Sequence, residues 1–156
     1  MDIRLEPVPL SDAETYLEMQ KRAFAALLER YRDYDTNPAC ESLARTREKF
    51  AQPGRSFYYI CHGETRVGAI SVVDPANPTA RKRISPLFIL PEYQRRGFAR
   101  AAIREAERLH GETGWALDTI LQEEGNCRLY EKLGYRRTGE TKEINERMTL
   151  VFYEKS

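Results

Sequence analysis

Apolar and polar positions along the chain change period several times, and each change marks an element. Ile3 to Pro7 alternates with period two and suits a short strand. Ser11-Asp12-Ala13-Glu14 has the Ser-x-x-Glu form of a capping box, which predicts a helix start. Leu17, Phe24, Leu27, Leu28 and Tyr31 share one face of that helix, so it runs to about Tyr31. Asp33 to Pro38 is a polar break, and a second helix is expected from about Ala39 to Phe50, ended by Pro53-Gly54. Phe57 to Cys61 and Arg66 to Val73 then read as a hairpin around His62-Gly63-Glu64. Arg83 to Leu90 is the next strand. Pro86 lacks an N–H for the ladder, so a bulge or an unpaired edge is expected there.

From Gly97 to about His110 the period returns to that of a helix. Phe98, Ala102, Ala106 and Leu109 form its expected buried stripe, with Arg100, Arg104, Glu107 and Arg108 on the wet side. Trp115 to Leu121 is a strand, and Asn126 to Leu133 a short helix closed by Gly134. Tyr135 to Thr141 and Met148 to Tyr153 read as a closing hairpin, whose last strand could pair with a second copy to make a homodimer. This order predicts one mixed α/β (α+β) domain over residues 1–156, without the regular alternation of a doubly wound sheet. At 156 residues the chain can bury roughly 70 % of its unfolded surface.

Composition narrows the function by exclusion. Lys and Arg number 25 against 24 Asp and Glu, so no overall field draws the chain to nucleic acid or an anionic membrane. No apolar run approaches the roughly 20 residues of a membrane span. Met1 to Pro7 lacks the basic-then-apolar layout of a leader. Cys40, Cys61 and Cys127 are an odd set without metal-ligand spacing, which fits a reducing cytoplasmic setting and no metal. His62 and His110 stand outside any nucleophilic motif, and Cys127 reads as a packing thiol at a helix start.

Charge is concentrated in one place. Arg81 to Arg108 holds eight basic and three acidic residues. Within it a strand ends at Leu90, a basic loop turns through Arg95 and Arg96, and a helix opens at Gly97-Phe98-Ala99-Arg100. Free N–H groups and the dipole at a helix start attract anions, and Gly97 and Ala99 leave room for close approach. A di- or polyphosphate is the simplest ligand. Neither the Walker A run nor Gly-x-Gly-x-x-Gly is present.

What the loop does match is Gln/Arg-x-x-Gly-x-Gly/Ala, as Gln94-Arg95-Arg96-Gly97-Phe98-Ala99. Farther on, Asn126-Cys127-Arg128-Leu129-Tyr130-Glu131-Lys132-Leu133-Gly134-Tyr135 resembles the Asn…Leu-Tyr-Glu-Lys-x-Gly-Phe/Tyr element of the GNAT superfamily of acyl-CoA-dependent N-acetyltransferases. The order of elements is similar along essentially the whole chain.

That resemblance implies a mostly antiparallel sheet of about seven strands flanked by about four helices, splayed at two central strands. It implies acetyl-CoA as co-substrate, with its pantetheine arm on the backbone of Leu87, Phe88 and Ile89. Arg95, Arg96, Gly97, Phe98, Ala99 and Arg100 would hold the pyrophosphate. Many members carry Asn seven residues before the Tyr, where this chain has Glu123. Asn126, four residues before Tyr130, either contacts the cofactor or caps the short helix. Tyr130 would protonate the leaving thiolate, and Asp118 would be the base, with Glu92 a weaker second. Tyr31 and Tyr34 would border an amine substrate. The alternative is a silent acyl-CoA-binding module of the same fold; a nucleic-acid domain is disfavoured.

Overall fold

The computed structural model describes residues 2–156; Met1, the first residue of the segment inspected for a leader, lies outside them. Strands β1 (Arg4–Pro7), β2 (Arg55–His62), β3 (Thr65–Val73) and β4 (Lys82–Ile89) pair antiparallel in chain order. β5 (Trp115–Ile120) joins β4 in parallel. β6 (Arg136–Asn145) and β7 (Met148–Lys155) complete one sheet of order β1-β2-β3-β4-β5-β7-β6. β7 therefore lies inside the sheet, and the free edge belongs to β6. The expectation that Met148 to Tyr153 offers an edge to a second copy fails for that reason.

Four helices cover the two faces: α1 (Ala13–Tyr31), α2 (Leu43–Phe50), α3 (Phe98–His110) and α4 (Glu124–Lys132). The pleat sorts the residues beneath them. Ala69 and Phe88 stand opposite each other on β3 and β4 and pack with Tyr16 and Ala23 of α1 and Phe57. The Tyr16 ring meets Phe57 edge-on at 5.1 Å. One step along, Ile70 and Leu87 turn to the other face. There Ile84, Trp115, Leu117 and Val151 meet Phe98, Ala102, Ile103 and Ala106 of α3 and Tyr130 of α4. The result is three layers with a core on each side of the sheet.

Some local expectations move. Leu10–Asp12 is a 3₁₀ turn, so α1 starts at Ala13 and the Ser11 box does not form. Asp12 sits at the cap, but its carboxylate accepts from the Tyr59 hydroxyl at 2.7 Å instead of a helix N–H. The second helix splits into a 3₁₀ turn, Pro38–Cys40, and α2, whose first turn is capped by Ser42 Oγ accepting from Arg45 N–H. In α3, Glu107 is buried and Leu109 is exposed, the reverse of expectation. Glu107 is drawn inward because it accepts from the Tyr135 hydroxyl at 3.0 Å and from Lys155 Nζ at 3.0 and 3.2 Å.

Two irregularities shape the centre of the sheet. Between Ile70↔Leu87 and Val72↔Ile84 the register shifts, placing three steps of β4 against two of β3. Ser85 and Pro86 occupy this bulge, as the proline led one to expect. Beside it, Gly68 lets β3 close tightly on β4, since a Cβ there would stand 2.1 Å from the Phe88 carbonyl oxygen.

Candidate active site

β4 and β5 share only two rungs, Lys82↔Trp115 and Arg83↔Ala116. Beyond them β5 follows β7 to Ile120↔Leu150, while β4 stays with β3 to Gly68↔Ile89. A V-shaped opening results, closed at Arg83 and widest beyond Ile89. Leu90 N–H donates to the Val67 carbonyl at 2.8 Å, so by the antiparallel alternation Phe88 faces β3 and Leu87 and Ile89 turn their backbone groups into the opening. The Ile89 carbonyl already accepts from Gln94 Nε2 at 3.0 Å. Phe88 itself is anchored under α1.

At the wide end the chain makes a 3₁₀ turn, Pro91–Tyr93, and enters α3 through two left-handed residues, Arg95 (φ 65°) and Gly97 (φ 85°). Gly97 adopts this conformation freely, whereas Arg95 carries roughly 1–2 kcal/mol of strain. The first bond of α3 runs from Ala101 N–H to the Gly97 carbonyl at 3.1 Å. The N–H groups of Phe98, Ala99 and Arg100 therefore have no partner within the helix. Phe98 pins the turn into the core, Ala99 is half-buried, and Arg95, Arg96, Gly97 and Arg100 are exposed. A cavity of about 1080 Å³ continues from Gly97 along α3 past Arg100 and Arg104 to Lys155.

Tyr130 and Asp118 flank the opening from opposite faces. Tyr130 stands on α4 among Cys127, Tyr135 and Tyr153, with both tyrosine ring centroids 6.1 Å away. The Tyr130 side chain is buried. Burial, then the charge of Asp118, pushes its pKa up to about 12. Asp118 lies on the α1 face of β5, and Arg83 Nη2 donates to its Oδ2 at 2.8 Å. Burial raises the Asp118 carboxyl above its ordinary value and outweighs the opposite pull of Arg83.

The remaining expected residues separate. Asn126 is exposed in the first turn of α4; Glu123 holds the cap position, so Asn126 does not cap the helix. Tyr31 is buried, and its hydroxyl donates to Glu123, which also accepts from Arg30 at 2.7 Å. Tyr34 is exposed and lines a polar cavity of about 340 Å³ with Gln20, Asn37, Glu41, Lys49 and Pro86, beside the bulge on the α1 and α2 face. Glu92 is exposed and bound to Arg22 at 2.7 Å; its own backbone N–H and then Arg22 hold it below the usual carboxylate range, which suits an ion pair and not a base. Glu123 stands at the family's Asn position, but its bond to Tyr31 and that of Arg83 to Asp118 escape sequence reading, because the partners lie 92 and 35 residues apart.

The sequence pattern of the Acetyltransferase (GNAT) family matches residues 19–135, spanning both the loop at Gly97 and the helix of Tyr130. Human N-acetyltransferase 8 is 24 % identical over 116 residues, covering 70 % of this chain and 51 % of that protein, so the chain spans about half the length of this curated relative. Among solved structures, the PaiA N-acetyltransferase from Thermoplasma acidophilum, in complex with coenzyme A, aligns with a TM-score of 0.67 at 18 % identity over 100 % of both chains. Spermidine N-acetyltransferase from Vibrio cholerae, with CoA and spermine, aligns at 0.75 and 16 % identity over 97 % of this chain and 93 % of that one. With its splayed β4 and β5 and its open helix start at Gly97, the chain belongs to the GNAT acetyltransferase family.

Proposed function

We propose that this chain is an acetyl-CoA-dependent N-acetyltransferase acting on a primary amine. The reading rests above all on one observation: unpartnered N–H groups at the start of α3 stand at the wide end of the same opening that Leu87 and Ile89 line with backbone groups. A phosphate-bearing arm with amides along its length fits that arrangement, its pyrophosphate at Arg95 to Arg100 and its amides added to β4 as an extra strand. Asn126, exposed in the first turn of α4, is left free to contact the cofactor. Among the described residues no helix is long and apolar enough to cross a membrane. The three free cysteines suit a reducing cytoplasm.

Transfer forms a bond from the amine nitrogen to the acetyl carbon and breaks the carbon–sulfur bond, releasing a free thiol. An amine of pKa about 10.4 is almost wholly protonated at pH 7, a cost of roughly 4.6 kcal/mol. Asp118, with its raised pKa, takes that proton from the α1 face, directly or through water. Tyr130, kept protonated by burial, donates to the departing sulfur from the α4 face. The amine enters by the cavity that Tyr34 lines, while Tyr31 gives its hydroxyl hydrogen to Glu123. A module that binds acyl-CoA without turnover is the second reading, favoured by the ion pair that already engages Asp118. Incubation with acetyl-CoA and a panel of amines, read as free thiol and as acetylated product by mass, separates the two. Amine-dependent thiol release supports the enzyme; bound acetyl-CoA without release by any amine points to the module.

A further inference from the structure

The bulge in β4 interrupts the ladder where it matters most. Residues on its near side, Lys82 and Arg83, hold β5 and Asp118; residues beyond it, Leu87 and Ile89, line the opening. At the interruption Ser71 of β3 has no partner on β4, and Ser85 and Pro86 have none on β3. A side chain from the next strand fills this gap. Arg55 on β2 donates Nε to Ser71 Oγ at 3.2 Å and Nη2 to the Ser85 carbonyl at 2.6 Å. Its guanidinium lies 5.3 Å from the Phe57 ring centroid, and Nη1 reaches Gln52 Oε1 at 3.3 Å. Ser71 is fully buried. A planar fork with several fixed donors can satisfy a hydroxyl and a carbonyl at once, which a lysine ammonium on a flexible stem does poorly.

We propose that Arg55 is a positioning residue, whose guanidinium bridges Ser71 and Ser85 and so sets the angle at which Leu87 and Ile89 present their backbone to the pantetheine arm. The proposal rests on the acetyl-CoA reading above. Arg55 makes its side-chain bonds to Ser71, Ser85 and Gln52 and none to the phosphate loop, so its effect on cofactor binding falls on the arm.

Calorimetric titration with two probes isolates that effect. Acetyl-CoA uses the loop and the opening; adenosine 3′,5′-bisphosphate has the nucleotide end and no pantetheine. Arg55→Gln is expected to weaken acetyl-CoA about tenfold and to leave the bisphosphate within about twofold. Ser71→Ala removes one anchor with little disturbance to the core and is expected to weaken acetyl-CoA about threefold with the same selectivity. This second variant carries the test if Arg55→Gln does not fold. Equal weakening of both probes, or unchanged acetyl-CoA affinity in a folded variant, overturns the proposal while leaving the function intact. A wild-type protein that binds neither probe overturns the functional reading, and this inference with it.

Discussion

Arg83 Nη2 and Asp118 Oδ2 stand 2.8 Å apart, an ion pair thrown between β4 and β5 at the last rung those strands share. The pair marks the point where the opening closes, and the Asp118 side chain keeps 36 % of its surface exposed. With a pKa above the ordinary value, Asp118 is ionised, and able to accept a proton, only above that shifted pKa. Activity is therefore expected to fall as pH drops through it. Arg83→Met removes the cation that holds this pKa down, so the acidic limb of the pH–kcat profile shifts to higher pH. Asp118→Asn is expected to lower kcat by about 100-fold or more while leaving acetyl-CoA affinity unchanged. Because the folded state favours the protonated carboxyl, ionising it lowers stability above the folded pKa. Asp118→Asn should accordingly hold or slightly raise Tm at pH 8.

Tyr130→Phe tests the acid. The substitution keeps the ring packed in the apolar cluster and removes only the hydroxyl, so the variant should unfold at nearly the wild-type temperature and bind acetyl-CoA normally. Turnover is expected to drop by about 10- to 100-fold. With the phenol pushed up to about 12, Tyr130 adds no basic limb to the wild-type profile below about pH 10.

Gly68→Ala addresses the packing beneath the opening. The new Cβ would meet the Phe88 carbonyl oxygen at 2.1 Å, so β3 and β4 must separate. Urea unfolding is expected to show a loss of about 1–3 kcal/mol, accompanied by weaker acetyl-CoA binding.

Glu107→Ala strands the Tyr135 hydroxyl and the Lys155 ammonium, both of which depend on this carboxylate. A loss of about 1–3 kcal/mol is expected, because the buried Tyr135 hydroxyl is left without its acceptor and the half-buried Lys155 ammonium without its counter-charge. The same denaturation series reads it.

Elements carried by local pattern were legible in the sequence. The stripe Phe98, Ala102 and Ala106 located α3, and Pro86 located the bulge. The failures share a cause. Asp12 was read as part of a capping box, but its carboxylate goes to Tyr59, 47 residues away. Glu107 was read as solvated, but Tyr135 and Lys155 reach it from 28 and 48 residues away. In each case a polar side chain finds a partner from a distant element, and no window on the local sequence contains both halves of the bond. Arg55 belongs with these, since Ser71 and Ser85 meet it only once β2, β3 and β4 are aligned.

The central claim is that the opening between β4 and β5, with the helix start at Gly97, holds acetyl-CoA. Isothermal titration of acetyl-CoA into the wild-type protein and into Gly97→Glu, with thermal unfolding to confirm that the variant folds, tests it most directly. A side chain at Gly97 meets a φ of 85° and puts a carboxylate at the anion site. One-to-one binding in the micromolar range that Gly97→Glu abolishes is the expected result. No heat and no thermal stabilisation of the wild-type protein by either acetyl-CoA or CoA would contradict the account.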